Sequence, residues 1–307
     1  MGEFKHISVL LQESIDALNI KPDGIYVDGT AGGAGHSREI AKRLTSGRLL
    51  ALDKDPQAVA VATERLKEYP NATVIHSDFS RLCEVLDEQK IDGVDGILLD
   101  LGVSSYQLDE AQRGFSYHAD AKLDMRMSME GTSAYDIVNN CSVDELARIL
   151  REYGEEKFAY KIACQIDKHR KNQPIETTTQ LSQIINQSFP PKMRWEGKNP
   201  SKRSFQAIRI AVNSELDCLS QVLDTAFDRL NPGGRFAIIT FHSLEDRMVK
   251  QKFAALAKGC ICPPDFPVCV CGHHPQGVLK KPIEPSEKEL EENPRSHSAR
   301  LRVIEKL

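Results

Sequence analysis

Long apolar runs are missing from this 307-residue chain. No stretch approaches the roughly 18 apolar residues of a membrane-spanning helix, so neither a span nor a membrane partner is expected. Met1 to His6 lacks the charged-then-apolar pattern of a secretory signal, which makes the cytoplasm the expected location. There is no internal repeat, which argues against a solenoid. An overall excess of positive charge is also missing: the net charge is −4, which counts against a nucleic-acid partner for the chain taken whole. Hydrophobic residues nevertheless make up 40%, enough to build a core.

The charge is unevenly spread. Residues 151–210 hold 12 Lys/Arg against 6 Asp/Glu, a local +6, which leaves −10 for the remainder. A basic module in an acidic chain is a better nucleic-acid signal than the mean. Within it, the loop from Lys192 to Arg203 interleaves Lys192, Arg194, Lys198, Lys202 and Arg203 with the only tryptophan, Trp195. Cations can take phosphates and an exposed ring can stack on a base. The alternative is a solvated loop with Trp195 folded onto the lobe. Lys168-His-Arg-Lys171 is a second basic run, of the kind that commonly ends a solvated helix.

Ile25-Tyr-Val-Asp28 is a short apolar run that ends in an acid, followed by Gly29-Thr-Ala-Gly-Gly-Ala-Gly-His36. This predicts a strand, a glycine loop and a helix N-terminus, where backbone N–H groups can approach a ligand. A second run, Leu49-Leu-Ala-Leu52, ends in Asp53, the position that takes ribose hydroxyls in such units. The third glycine of a dinucleotide fingerprint is absent: the Gly33-Ala-Gly35 frame has Arg38 there. Asp28 would face a pyrophosphate with like charge, but it suits an ammonium or sulfonium centre. The loop (Asp28, Gly33, Ala34, Gly35, His36) therefore favours S-adenosylmethionine over NAD. A generic strand-to-helix loop is the alternative.

Five strands are predicted, Ile25–Asp28, Leu49–Asp53, Ala72–His76, Gly96–Asp100 and Arg235–Phe241. Helical patterns at Ser37–Leu44, Pro56–Tyr69 and Ser80–Gln89 separate the first four, which implies a parallel α/β sheet. Asp28, Asp53, the Ser77-Asp78-Phe79 turn, Asp100 and His242 fall at the carboxyl ends, where such sheets bind ligands. Residues 101–234 are far more than a crossover needs and read as helical, with a capping box at Ser142 and Glu145 and helices at Thr177–Phe189 and Ser204–Leu230. The expected division is 1–105 and 211–307 as one split domain, with 106–210 as an inserted helical lobe.

Eight cysteines remain to be placed. Cys83, Cys141, Cys164 and Cys218 are scattered and are expected to be core thiols. Cys260-x-Cys262 and Cys269-x-Cys271 are six residues apart, with His273 and His274 following. Four thiols on two knuckles fit a zinc site that is structural rather than catalytic; free thiols or a redox-active pair are the alternatives.

Leu230-Asn-Pro-Gly-Gly-Arg235 and the strand after it resemble the fifth-strand region of many S-adenosylmethionine-dependent methyltransferases. More specific are Asp28-Gly-Thr-x-Gly-x-x-Gly-His36, Asp100-Leu-Gly-Val-Ser-Ser105, Arg113-Gly-Phe-Ser116, Leu123-Asp-Met-Arg-Met127, Tyr153-Gly-Glu-Glu156, Phe205-Gln-Ala-Ile-Arg-Ile210, Phe241-His-Ser-Leu-Glu-Asp-Arg247 and Asn293-Pro-Arg-Ser296. In this order and spacing, from His6 to Leu301, they resemble the RsmH family, also called MraW. The resemblance implies a Rossmann-like class I methyltransferase sheet with an inserted helical substrate-recognition domain. It implies methyl transfer to the N4 amine of a cytosine in the decoding region of small-subunit (16S) ribosomal RNA. By the same resemblance Ala34, Gly35 and His36 contact the methionine end of the cofactor, Asp53 the ribose and Phe79 the adenine, while Asp100 and Gln107 complete the pocket.

The Pro-Pro-aromatic loop that many amino-methyltransferases carry after the fourth strand is absent. Asp100-Leu-Gly-Val103 stands there, leaving Tyr106, Phe115 or Tyr117 to stack on a base. Asp100 and His242 are the candidate catalytic residues, with a helix-capping carboxylate and a carbonyl-bonded histidine as the plainer readings. Glu245, Asp246 and Arg247 suit an internal ion network. An NAD-dependent dehydrogenase and a non-catalytic subunit-assembly factor are competing functions. The missing glycine counts against the first and the intact cofactor loop against the second. The sequence does not choose between monomer and homodimer, or between naked RNA and an assembled small ribosomal subunit as substrate.

Overall fold

A computed structural model describes residues 8–190, 199–263 and 268–307. The chain divides into two compact units, Met1–Gly102 with Leu216–Leu307, and Val103–Glu215.

The first unit is a seven-stranded sheet in the order β3-β2-β1-β4-β5-β7-β6. Its strands are β1 (Ile25–Asp28), β2 (Arg48–Asp53), β3 (Ala72–His76), β4 (Val94–Asp100), β5 (Leu230–Thr240), β6 (Gly277–Leu279) and β7 (Arg300–Lys306). Strands β1 to β5 pair in parallel, while β7 runs antiparallel to β5 and β6. Leu49–Leu52, Ile97–Leu99 and Phe236–Ile239 are completely buried runs, because helices cover both faces of a parallel sheet and no strand face is left to alternate. Helices α1 (Leu11–Leu18), α2 (Gly35–Arg43), α3 (Pro56–Leu66) and α4 (Leu82–Glu88) belong to this unit. Asp55 starts α3 by accepting from Gln57 N–H at 3.0 Å, with Pro56 at the first helical position.

The Rossmann-like sheet is as expected, with two strands more than the five anticipated. Strand β7 was hidden by its arginines: Arg302 is buried, but its guanidinium holds Asp246 at 2.6 and 3.0 Å. The anticipated turn at Asn231–Gly234 is absorbed into β5. Gly233 there has φ 76°, and the pairing with β4 shifts register between Val94 and Gly96.

The second unit is helical, with α5 (Ser105–Asp109), α6 (Ala134–Asn140), α7 (Val143–Gly154), α8 (Ala159–Arg170), α9 (Thr178–Ser188) and α10 (Ser201–Asn213). Its core gathers Leu146, Leu150, Ile162, Ile166, Ile185, Phe205 and Ile208. Leu146, Ile149 and Leu150 lie on one face of α7 at helical spacing, and removing one such buried leucine costs about 2–5 kcal/mol. Thr177 and Gln180 close a reciprocal capping box at the start of α9.

The long helix expected over Ser204–Leu230 is instead two helices, α10 and α11 (Glu215–Thr225), followed by a 3-10 turn at Ala226–Arg229. Ser214 sits between them at φ 49°, and Arg209 grips Glu215 at 2.8 and 2.9 Å. After β5 the chain enters α12 (Ser243–Leu256), and α13 (Glu287–Glu292) precedes β7. The four scattered cysteines are half-buried rather than core residues. Among the described residues, no helix is long and apolar enough to cross a membrane.

Candidate active site

The carboxyl ends of β1, β2 and β4 bring Asp28, Asp53 and Asp100 to one edge of the sheet. The loop after β1 is pinned by its own backbone. Gly29 N–H donates to Leu98 O at 2.9 Å, Ala31 N–H to Leu52 O at 2.8 Å and Ala34 N–H to Ala31 O at 2.6 Å. Gly32 and Ala34 both take the left-handed conformation, at φ 49° and 59°. A Cβ at Gly29 would fall 2.4 Å from Leu99 Cδ2, and one at Gly35 would fall 1.9 Å from Ser8 Oγ, so side chains are excluded there. Gly33 is held from outside by Arg65, which donates to its carbonyl at 2.5 Å. Helix α2 starts at Gly35 with Ala34 as its cap, and a methyl group offers no acceptor to the first-turn N–H groups. That end of α2 is therefore suited to an anionic group.

Asp28 is almost completely buried. It accepts from Ser37 Oγ at 2.6 Å and from Thr30 N–H at 3.1 Å. Burial raises its pKa, against the pull of Ser37 and Thr30. Its carboxylate organises the loop from within, a direction the sequence could not reveal. Asp53 accepts from Gly32 N–H at 2.8 Å and Asp55 N–H at 2.9 Å, which fixes its orientation. Burial pushes its carboxyl up to about 6, with Asp55 and Asp28 adding repulsion against those two donors. Beside it, Ser77 N–H donates to Asp53 O at 3.0 Å, and the turn carries on into the 3-10 segment Phe79–Arg81. Asp78 anchors that turn through Ser80 N–H at 2.8 Å and Lys54 Nζ at 3.3 Å.

Asp100 stands apart from the other acids. Its backbone N–H donates to Thr30 Oγ1 at 2.6 Å, but its buried Oδ1 has no hydrogen-bond partner among the described residues. Oδ2 lies 3.8 Å from His36 Nδ1. Burial pushes the Asp100 carboxyl up to about 8, with repulsion from Asp28 and Glu245 adding to it. His36 is buried, with Nε2 3.2 Å from Val9 O. A carbonyl can only accept, so Nε2 carries the proton. The site is thus a glycine cradle, two carboxylates held in place at strand ends, and an acceptor that lacks a donor. Sequence reasoning missed Thr30 and Ser37, whose hydroxyls tie the loop to β4 and α2; their only signal is their place beside the glycines.

His242 is the N-cap of α12. Its Nδ1 accepts from Glu245 N–H at 3.4 Å, and its Nε2 lies 3.0 Å from Glu245 Oε1 without hydrogen-bond alignment. Buried Glu245 in turn accepts from Phe241 N–H at 2.8 Å. Of Glu245, Asp246 and Arg247, expected to form an ion network, Asp246 binds Arg300 and Arg302 of β7, and Glu245 lies against His242.

In the second unit, Gln107 is buried and closes a capping box with Ser104, its Oε1 accepting from Ser104 N–H at 3.0 Å. Phe115 is core and Tyr117 packs edge-on against Phe205, which leaves Tyr106, 44% exposed, as the open ring of the three. Lys202 and Arg203 are exposed on α10. Lys192, Arg194, Trp195 and Lys198 lie outside the described residues. The Lys168–Lys171 run is the basic end of α8, with Arg170 and Lys171 both paired to Asp167. Cys260, Cys262, Cys269 and Cys271 come together in the first unit between α12 and β6.

A protein of Lachnospira eligens named ribosomal RNA small subunit methyltransferase H is 58% identical over 310 residues, covering 99% of this chain and 98% of that protein. One of the same name from Clostridium botulinum is 57% identical over 309 residues, covering 99% of this chain and 100% of its own length. Residues 3–307 match the MraW methylase family, and the chain belongs to that family.

Proposed function

We propose that this protein transfers a methyl group from S-adenosylmethionine to the N4 amine of a cytosine in the decoding region of small-subunit (16S) ribosomal RNA. The observation that carries the reading is Asp100, a buried acceptor without a donor at the carboxyl end of β4, beside the glycine cradle. A cofactor with two cationic centres satisfies such a carboxylate, and an exocyclic amine offers it N–H donors. The curated relatives' names supply the substrate class, the ribosomal RNA of the small subunit.

The residues fit that cofactor. Asp53 has two oxygens fixed by backbone donors and lone pairs left for ribose hydroxyls. Phe79 follows Asp53's neighbouring turn and offers a ring to the adenine. Ala34, Gly35 and His36 form the start of α2, where Asp28 already takes Ser37 and the methionine carboxylate gains from the helix N-terminus. Asp28 acts indirectly, by holding Thr30 and Ser37. Bound S-adenosylmethionine supplies a methyl already activated on a sulfonium centre. The protein then has to orient the amine, exclude water and accept N–H hydrogen bonds at Asp100 as the amine lone pair is drawn out of the ring. His242 serves as a positioning residue that shapes the turn after β5. The target base is single-stranded or flipped, because a duplex hides the amine.

The helical unit is the RNA-recognition module in this account, with Lys202 and Arg203 as its described cations and Tyr106 as an open stacking ring. The enzyme works in the cytoplasm on the small subunit. Labelled S-adenosylmethionine incubated with unmodified small subunits tests the reading: label should enter the RNA. A folded protein that binds the cofactor but labels neither subunits nor naked RNA contradicts it.

A further inference from the structure

The excursion between α12 and β6 has no part in methyl transfer as described above. It leaves α12 after Leu256 and reaches Gln276 just before β6, where Gln276 N–H donates to Leu256 O at 2.8 Å, so the loop is closed at its base. Among its described residues beyond that base, the large apolar side chains Ile261, Val268 and Val270 are 54%, 68% and 71% exposed. Segments too small to bury a core are commonly held by a cross-link or a metal.

The four cysteines are placed to hold one. Their sulfurs all lie within 4.8 Å of one another. Cys260 Sγ is 3.4 Å from Cys269 Sγ and 3.8 Å from Cys271 Sγ, and Cys269 Sγ is 3.6 Å from Cys271 Sγ. A tetrahedron of thiolates at a zinc–sulfur distance of about 2.3 Å has edges of about 3.8 Å. A disulfide would need about 2.05 Å, and all eight cysteines are free. Backbone donors face three of the sulfurs: Cys262 N–H to Cys260 Sγ at 3.4 Å, Val270 N–H to Cys262 Sγ at 3.4 Å, and His273 N–H to Cys271 Sγ at 3.5 Å. Such donors stabilise negative sulfur and fix the orientation of the ligands.

We infer that Cys260, Cys262, Cys269 and Cys271 form a structural Zn2+ site that substitutes for a core in this loop. All four positions are protein sulfur, so there is no open position for a reactive water and the role is structural. Loading replaces four thiol protons by one Zn2+, and up to four protons go to solvent. The site is independent of the cofactor edge, and its success or failure leaves the methyl-transfer reading untouched.

The test uses the full chain, purified under reducing conditions with Zn2+ supplied. Elemental mass spectrometry should find about one zinc per chain. Cys260→Ser and Cys269→Ser should each lower zinc retention at least tenfold after dialysis, while Cys83→Ser, outside the cluster, should keep it. Co2+ added to the stripped protein should give the absorption bands of a tetrahedral thiolate site. Chelation should expose the segment between residues 257 and 275 to protease while the far-ultraviolet dichroism of the rest holds. Zinc absent from reduced, Zn2+-supplemented protein would overturn the inference. Zinc retained undiminished when all four cysteines are serine, iron in its place, or pairwise disulfides in protein kept reduced would overturn it equally.

Discussion

Asp100 is the residue on which the site's electrostatics turn. Its carboxyl, ordinarily near 3.8, is held at about 8 by burial and by the nearby acids. A raised acid pKa means that the folded protein favours the neutral form. Its contribution to stability is present below about pH 4 and is lost as pH rises towards 8. A cationic cofactor reverses that cost, because it favours the ionised form. Affinity for S-adenosylmethionine should therefore rise between about pH 6.5 and 8, approaching tenfold per unit, and Asp100→Asn should flatten the rise. Calorimetric titration across that window checks it; a wild-type affinity indifferent to pH would count against the charge pairing.

Asp53→Ala removes two charge-assisted contacts of about 1.5 kcal/mol each, so cofactor affinity should fall roughly a hundredfold. Unchanged affinity in a folded variant removes Asp53 from the ribose. His242→Asn tests a separate point. Asparagine keeps an N-cap, so the variant should retain turnover to within about fivefold if His242 positions the turn, whereas loss of general-base chemistry would cost on the order of 10²–10⁴. The position of Asp53 and Asp100 at the carboxyl ends of their strands was legible in the sequence, because each closes an apolar run. The inward turn of the Asp28 carboxylate was not, because it depends on Ser37 in another element. Gln107 carried no signal of its own beyond the family resemblance.

At the scale of elements, local chemistry was readable where it is local. The Ser142 cap of α7 and the Pro56 start of α3 were visible because a cap is decided within four residues; Glu145 holds Arg148 instead of closing the expected box. The break at Ser214 was not, because the apolar period runs straight through it and only the left-handed turn interrupts the helix. That turn costs a non-glycine residue about 1–2 kcal/mol. Ser214→Gly should raise the melting temperature by roughly 1–3 °C, with part of the relief offset by a more flexible unfolded chain. Ser214→Val should lower it. If valine is tolerated as well as glycine, the strain assigned to this position is absent. Strand β7 escaped notice for a different reason. Two arginines interrupt its apolar pattern, and the pairing of Arg302 with Asp246 that permits burial joins residues 56 apart.

For the whole molecule, the proposed function gives the α/β unit and the helical unit separate jobs. The sheet unit carries every predicted cofactor contact except Gln107, and the helical unit contains the basic stretch 151–210, although acids elsewhere in the unit bring its total to 16 Lys/Arg against 15 Asp/Glu. The length between the fourth and fifth strands and its helical patterns made the lobe visible from sequence; which of its cations would face RNA was not, because that depends on how helices present them. Lys202→Glu with Arg203→Glu should weaken ribosomal RNA binding and lower the salt slope of affinity by about 2, with cofactor affinity kept within twofold. Equal loss of both affinities would mean that the two jobs are not separable in this way.

The central claim is a reaction at one atom of one base. Small ribosomal subunits lacking the modification, incubated with this protein and methyl-labelled S-adenosylmethionine, can be digested to nucleosides and resolved by mass spectrometry. Label is expected in N4-methylcytidine, abolished by Asp100→Ala in a folded protein. Label in a ring-carbon-methylated or ribose-methylated nucleoside, or in a base other than cytosine, would contradict it.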